Sequence, residues 1–468
     1  MKPITKTITC FIIFLLSTIS LYSQDIIGSW QGKLKVQGVE LEIVFHIEGQ
    51  NSEFTSLMDS PTQGAFDIAT TKTTFKNKQL EIVVTNLGAF YQGKLSNDTI
   101  SGTFNQGGMP FALTLVRTEK KELFRPQEPK APFPYEVEET TFTNTKEKIE
   151  LAATLTLPRQ KEKSPAVILI AGSGPNDRDE TIFAHKPFWI IADYLTRQGI
   201  AVLRFDKRGV GESEGEYFTA TTQDFAEDVE AAISYLKTRK EIDPTNIGLI
   251  GHSEGGIIAP IVATQSNDVK FVISLAGLGV TGTELVLAQH RHEFDKLELS
   301  EDEKEKLNNT IINLYSNVLN WTEYAGTDEE RDQLKQDLSA LWQNLTPKMQ
   351  GGSKEAFIKQ TTAKIISPWF RYFLKINPLE YIQKLSIPTL AINGEIDTQV
   401  EYQSNLLGIE EALNKANNKQ HTIKSYPHLN HLFQESTTGE IDEYGKIEQT
   451  ISPIVLSDIA NWIRKQVE

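Results

Sequence analysis

Cysteine is all but absent from this 468-residue sequence, and the single one, Cys10, lies close to the amino end. No intrachain disulfide can form, so stability must come from packing. Long hydrophobic runs are missing too. A membrane-spanning helix needs about 20 apolar residues, whereas the run from about Cys10 to Leu21 is shorter and is broken by Ser17, Thr18 and Ser20. With Lys2 and Lys6 before it and Ser23 after it, the run reads as a secretory leader over residues 1–24. That predicts export, to the periplasm or beyond, and a mature chain without a membrane span. Cys10 also lacks the small-residue run that precedes a lipid-modified cysteine. Positive charge is scarce, with 47 Lys and Arg against 62 Asp and Glu for a net charge of −15. Losing the leader would remove two lysines and no acid. Such a surface repels phosphate backbones and anionic lipid, which argues against a nucleic-acid partner. The pattern sets no oligomeric state.

What is present changes character along the chain. From Asp25 to about Arg117 the hydrophobic pattern has period two. In VELEIVFHIEG, Val39, Leu41, Ile43, Phe45 and Ile47 fall on one face and Glu40, Glu42, His46 and Glu48 on the other, interrupted by Val44. Similar alternation in QLEIVV, TISGTF and PFALTLV predicts a small all-β barrel or sandwich over 25–117. Its opening Gly28-Ser29-Trp30-Gln31-Gly32 resembles the start of lipocalin-like barrels, with Trp30 expected as a core plug. Residues 118–136 hold four prolines among many charges and read as a linker. After it, AVILIAG, IAVLRFD, IGLIGHS, VKFVISLAG and PTLAING alternate with helical stretches such as FAEDVEAAISYLKTR. This predicts an α/β domain over 137–468, a mostly parallel sheet with helices on both faces. From about 280 to 376 no strand pattern occurs. Ser300 with Glu303 and Thr327 with Glu330 fit capping boxes, and Leu334, Leu338, Leu341 and Leu345 form one stripe, so a helical cap is expected there.

The chemistry is read from Gly251-His252-Ser253-Glu254-Gly255, a G-x-S-x-G run between a buried strand and an apolar helix. In that context the glycines allow a sharp turn that lifts Ser253 off the sheet edge as a nucleophile. A serine needs a base, and the base needs a group to hold its tautomer. The order Ser, Asp or Glu, then His points to Asp397 in PTLAINGEIDTQV, with Glu395 as the alternative, and to His431 in PHLNHLFQ, with His428 competing. For the oxyanion, the backbone N–H of Glu254 is one expected donor. The second should come from Gly172-Ser173-Gly174-Pro175, with Ser173 preferred over Gly174. Asp206, Arg208, Gly209, Gly211 and Ser213 are read as a structural loop. Asp177, Arg178 and Asp179 could order the oxyanion loop or touch substrate. The aromatics Trp369, Phe370, Tyr372 and Phe373 are expected mainly as cap core.

GHSEGG, DKRGVGESEG, NGEIDTQV and LNHLF, in this order and spacing, make residues 137–468 resemble the α/β-hydrolase superfamily. Within it, GSGPNDRDE and SPWFRYFLKINPLEYIQKL resemble exported bacterial esterases grouped with serine-aminopeptidase-like hydrolases, which also carry an extra amino-terminal domain. Ala171 stands where many relatives have the His of a His-Gly pair. The resemblance implies a Ser–His–Asp triad with no metal and no organic cofactor, acting on a small-molecule ester of short or medium acyl chain. Two alternatives accompany it. One is a peptidase removing amino-terminal residues, for which the cap acids Glu284, Glu293 and Asp295 could hold an ammonium. The other is a glycan- or lipid-binding protein whose hydrolase domain is vestigial.

Overall fold

The computed structural model describes residues 26–36, 39–50, 53–120, 124–159, 163–321, 326–345, 350 and 353–467. The leader expected over residues 1–24 lies outside the described residues. Packing divides the chain into two compact units. One takes in residues up to Gly32, Val44–Met58 and Ile68–Lys120; the other takes in Lys33–Ile43, Asp59–Asp67 and Lys121–Glu468.

Nine strands form the first sheet: β1 (Gly28–Val36), β2 (Val39–Gln50), β3 (Glu53–Ser60), β4 (Ala65–Ala69), β5 (Lys72–Lys76), β6 (Gln79–Val84), β7 (Ala89–Ser96), β8 (Thr99–Gln106) and β9 (Met109–Thr118). Their order is β2-β1-β9-β8-β7-β6-β5-β3-β4, and a further β2–β3 pairing closes a barrel. A barrel, not a sandwich, is therefore what the alternation builds. Strand β7 shows its inward and outward faces plainly, with buried and exposed residues alternating along its whole length. Phe45, Tyr91 and Phe104 fill the interior beside Trp30. The Trp30 indole donates to the Ile26 carbonyl at 2.8 Å, so the residue is the expected plug. Along β2 the reading needs correction. His46, placed on the polar face, is buried, and its Nδ1 lies 2.7 Å from the Ser29 hydroxyl. Val44 is buried as well, which explains why the alternation lapses there.

The second sheet has eight strands: β10 (Glu136–Asn144), β11 (Ile149–Leu157), β12 (Ser164–Ile170), β13 (Ala201–Phe205), β14 (Ile242–His252), β15 (Val269–Leu275), β16 (Thr389–Gly394) and β17 (His421–Tyr426). In the order β10-β11-β13-β12-β14-β15-β16-β17, β11 pairs antiparallel with both β10 and β13, and every pair from β13–β12 onward is parallel. The antiparallel pair β10–β11 has no counterpart among the strands read from sequence. Helices α1 (Pro187–Arg197), α2 (Thr222–Thr238) and α3 (Gly255–Gln265) make the crossovers. The central strands are apolar throughout because both faces are covered. In β12, Val167 and Leu169 pack with α1, whereas Ile168 and Ile170 pack with α2 and α3. From β12 the chain passes to β13 on one side and then to β14 on the other. The carboxyl ends of β12 and β14 thus open a crevice where ligands bind in such sheets.

Between β15 and β16 stand five cap helices: α4 (Gly282–Asp295), α5 (Glu301–Leu319), α6 (Asp328–Asn344), α7 (Lys354–Ile365) and α8 (Pro368–Lys375). Helices α5 and α6 start with the expected capping boxes, and Thr281 with Glu284 makes a third on α4. Leu334, Leu338 and Leu341 are buried as one stripe. The cap's two ends meet, since Gly282 N–H donates to the Ile376 carbonyl at 3.0 Å and the Thr283 hydroxyl to the Leu374 carbonyl at 2.7 Å. Among the described residues four further helices follow the cap: α9 (Leu379–Ile382), α10 (Tyr402–Lys415), α11 (Ile441–Tyr444) and α12 (Pro453–Val467).

The glycines flanking Ser253 are fixed by close backbone approach. A β-carbon on Gly255 would lie 2.0 Å from the Ile170 carbonyl oxygen, and one on Gly251 would lie 1.9 Å from the Gly255 oxygen. Neither contact is with a side chain that could swing away. Gly255→Ala is therefore expected to destabilise the protein by about 3 kcal/mol or more, since overpacking against backbone cannot relax. Chemical denaturation of this variant beside Gly408→Ala would check the cause. Gly408 is also pressed against backbone, with a β-carbon 1.9 Å from the Gly279 oxygen and no positive φ, so comparable losses would show backbone crowding to be general, and an unperturbed Gly255→Ala would contradict the argument.

Candidate active site

Strand β14 ends at His252 and α3 starts at Gly255, so Ser253 occupies the turn between them with φ of 53°, the left-handed region that L-residues seldom adopt. Its N–H is tied to the Leu275 carbonyl at 2.8 Å. This is the strained strand-to-helix geometry that G-x-S-x-G was expected to produce. Register brings the oxyanion loop alongside, because Ile170 of β12 pairs with Gly251 of β14. A β-carbon on Gly172 would meet the Ser253 β-carbon at 3.1 Å.

Asp397 and His431 come together from the loops after β16 and β17. His431 Nδ1 lies 2.7 Å from Asp397 Oδ2, with both side chains buried. The other carboxylate oxygen, Oδ1, accepts from the N–H groups of Gln399 and Val400 at 2.8 and 2.9 Å. Two amide donors on one oxygen and an imidazole on the other fix the plane of the carboxylate. The alternatives lie elsewhere: His428 is exposed, and Glu395 accepts from the Ser425 hydroxyl at 2.8 Å. The His431 loop is shaped by buried Asn430, whose Oδ1 accepts from Leu432 and Gln434 N–H at 3.0 and 2.9 Å.

Ser253, His431, Gly172 and Ser173 line one cavity of about 470 Å³. Among the described residues, neither Ser173 N–H nor Glu254 N–H has a protein acceptor. The Gly174 N–H faces the Tyr217 hydroxyl. Cap residues Leu285, Val286, Trp369, Phe370 and Phe373 form apolar walls of the cavity. Three of the four aromatics expected mainly as cap core therefore also face the site, and Tyr372 lines a separate pocket.

Residues not singled out from sequence surround the serine. Glu180 Oε1 accepts from Gly172 N–H at 2.6 Å and faces His252 Nδ1 at 2.9 Å, while His252 Nε2 points at the His431 carbonyl, 3.1 Å away. Both ring nitrogens thus meet acceptors. Burial works against the charged imidazolium, but the Glu180 carboxylate outweighs it and raises the pKa of His252. The Glu254 side chain is buried, and its Oε1 accepts from the Thr222 hydroxyl at 2.7 Å and the Trp369 indole at 2.8 Å. Buried Lys207 lies 3.7 Å from Glu254 Oε2. Burial lowers the pKa of this lysine, against the pull of the Glu254 and Glu180 carboxylates. Such contacts join segments far apart in sequence, and no local pattern announces them.

The loop read as structural is so. Asp206 accepts from Arg178 Nε and Nη2 at 3.1 and 2.8 Å, and Arg208 grips Asp228 with two bonds of 2.8 Å. Arg178 is thereby assigned to ordering the loop after β12, and Asp179 pairs with Arg204.

Parts of this chain are similar to known proteins. A family described as serine aminopeptidase, S33, matches residues 188–436. Esterase EstD of Thermotoga maritima is 28% identical over 319 residues, covering 67% of this chain and 66% of the esterase's own length. Among solved structures, the α/β hydrolase GrgF from a Penicillium species has a TM-score of 0.42 at 18% identity, over 71% of this chain and 99% of that one. An esterase of Pyrococcus furiosus has a TM-score of 0.43 at 16% identity, over 74% and 97%. By the family match, which spans more than half its length, this chain belongs to the serine aminopeptidase S33 family of α/β hydrolases.

Proposed function

We propose that the protein hydrolyses carboxylic esters of short or medium acyl chain through Ser253, His431 and Asp397. The observation that carries the reading is the 2.7 Å bond between His431 Nδ1 and Asp397 on the wall of the cavity that also holds Ser253. With Nδ1–H held by the carboxylate, Nε2 is the basic nitrogen. His431 takes the Ser253 proton as Oγ bonds to the ester carbonyl carbon. The tetrahedral oxyanion is met by the N–H groups of Glu254 and Ser173. Collapse breaks the bond to the alcohol, which leaves with the proton from His431. Water, deprotonated by His431, then releases the acid and restores Ser253.

The name of the family raises a second reading, removal of amino-terminal residues from peptides. A free ammonium would need an unengaged carboxylate in the cavity. Glu180 and Glu293 line it, but Glu180 is committed to His252 and the Gly172 N–H, and Glu293 pairs with Lys296 at 2.6 Å. An apolar cavity of about 470 Å³ suits an acyl chain better. Turnover of p-nitrophenyl esters of graded chain length, beside leucine p-nitroanilide, tests the choice. Short and medium esters are expected to exceed the anilide in kcat/KM by at least about 10²-fold; preference for the anilide would overturn the ester reading.

A further inference from the structure

The oxyanion loop is held from behind by two side chains. Buried Lys207 donates from Nζ to the Gly172 carbonyl at 2.5 Å. Asn176 donates from Nδ2 to the Gly172, Ser173 and Gly174 carbonyls at 2.8, 3.1 and 3.3 Å, so three successive carbonyls gather on one amide. The only cis peptide bond among the described residues is Ala131–Pro132, so the Gly172–Ser173 peptide is trans. In a trans peptide the C=O of one residue and the N–H of the next point in opposite directions. Fixing the Gly172 oxygen therefore fixes the direction of Ser173 N–H. On the other side of Gly172, Glu180 holds its N–H at 2.6 Å.

We propose that Lys207 and Asn176 are positioning residues for this reaction: by holding the Gly172 carbonyl they keep Ser173 N–H turned into the cavity, where the oxyanion forms. The proposal rests on the ester-hydrolase reading above. Neither residue touches the reacting atoms in this role. Their contribution belongs to the transition state, because a carbonyl flipped into the cavity would repel the oxyanion while leaving the apolar acyl walls intact. Sequence conceals this, since Lys207 sits inside DKRGVG, whose other residues build a structural loop, and its contact with Gly172 spans two strands.

The test compares Asn176→Asp, Asn176→Ala, Lys207→Met and the double variant Lys207→Met/Glu254→Gln in the full chain. Asn176 is half-exposed, so its variants should fold. Asn176→Asp replaces the donor with a carboxylate oxygen facing three carbonyls, and is expected to lower kcat by about 10²-fold with KM within about threefold; one oxyanion donor is worth 10²–10³ in comparable sites. Asn176→Ala should lose less, about tenfold. Lys207→Met leaves Glu254 buried without its cation, so the double variant removes that charge and is expected to regain the melting temperature without regaining kcat.

Affinity for an aryl boronic acid, which forms a tetrahedral adduct on the serine, is expected to fall in step with kcat. Binding of a non-reactive acyl amide should stay constant. A merely structural role would predict the opposite: kcat returning with the melting temperature in the double variant, or boronate affinity unchanged in Asn176→Asp, and either result overturns the proposal. If the wild type hydrolyses no ester, the ester reading has failed, and boronate affinities across the variants still decide this one. No turnover together with no boronate binding overturns both.

Discussion

Ser253→Ala is expected to lower kcat on a p-nitrophenyl ester by about 10⁵- to 10⁶-fold and to abolish covalent labelling by a fluorophosphonate. The magnitude follows from the way triad members act as a unit: with the nucleophile gone, His431 has no proton to take and only binding and the oxyanion donors remain. Alanine fits the site, because the β-carbon is retained and the N–H bond to Leu275 at 2.8 Å does not involve the side chain. The melting temperature should hold or rise slightly, and an unchanged KM would show that the cavity survives. Labelling by fluorophosphonate at any residue other than Ser253, or turnover within tenfold of wild type, would remove the serine from the mechanism.

Asp397→Asn should cost about 10⁴-fold in kcat near neutral pH, for a different reason. Asparagine is the same shape, but its amide would donate to Nδ1 of His431 where the carboxylate now accepts at 2.7 Å. The imidazole would then carry its proton on Nε2, facing the serine it should deprotonate. Asparagine Oδ1 can still accept from Gln399 and Val400, so the loop's backbone bonds survive and folding should be little affected. Fluorophosphonate labelling should slow in parallel with turnover. His428→Ala, at an exposed site, serves as the control and is expected to leave kcat within about twofold; a larger loss there with a small one in Asp397→Asn would move the base to the other histidine.

Much of this site is legible in one dimension because its key residues are set by local rules. Ser253 sits where a strand must turn into a helix, and Gly251 and Gly255 are demanded by backbone contacts that admit no β-carbon. The helical cap is legible from Ser300 with Glu303 and Thr327 with Glu330, since capping boxes lie within one turn. What stays hidden depends on tertiary contact. Glu180 meets His252 across 72 residues, and Trp369 meets Glu254 across 115. His46 of the barrel escaped because strict alternation assigns one face to solvent, and at that position both faces are covered. Strands β10 and β11 escaped for a related reason: antiparallel partners beside a parallel sheet mix period-two and continuous apolar patterns.

The joined ends of the cap make it a self-contained excursion from the sheet. Gly282 N–H and the Ile376 carbonyl are 3.0 Å apart, so the five helices enter and leave through one doorway, and the sheet on either side is indifferent to what lies between. Loop-closure entropy rises only slowly with length, at about 0.6 kcal/mol per doubling. Such an excursion can change in length or composition with the strands on either side unmoved, so the cavity walls it supplies, Leu285, Val286 and Phe373 among them, can be reshaped without disturbing the turn that holds Ser253.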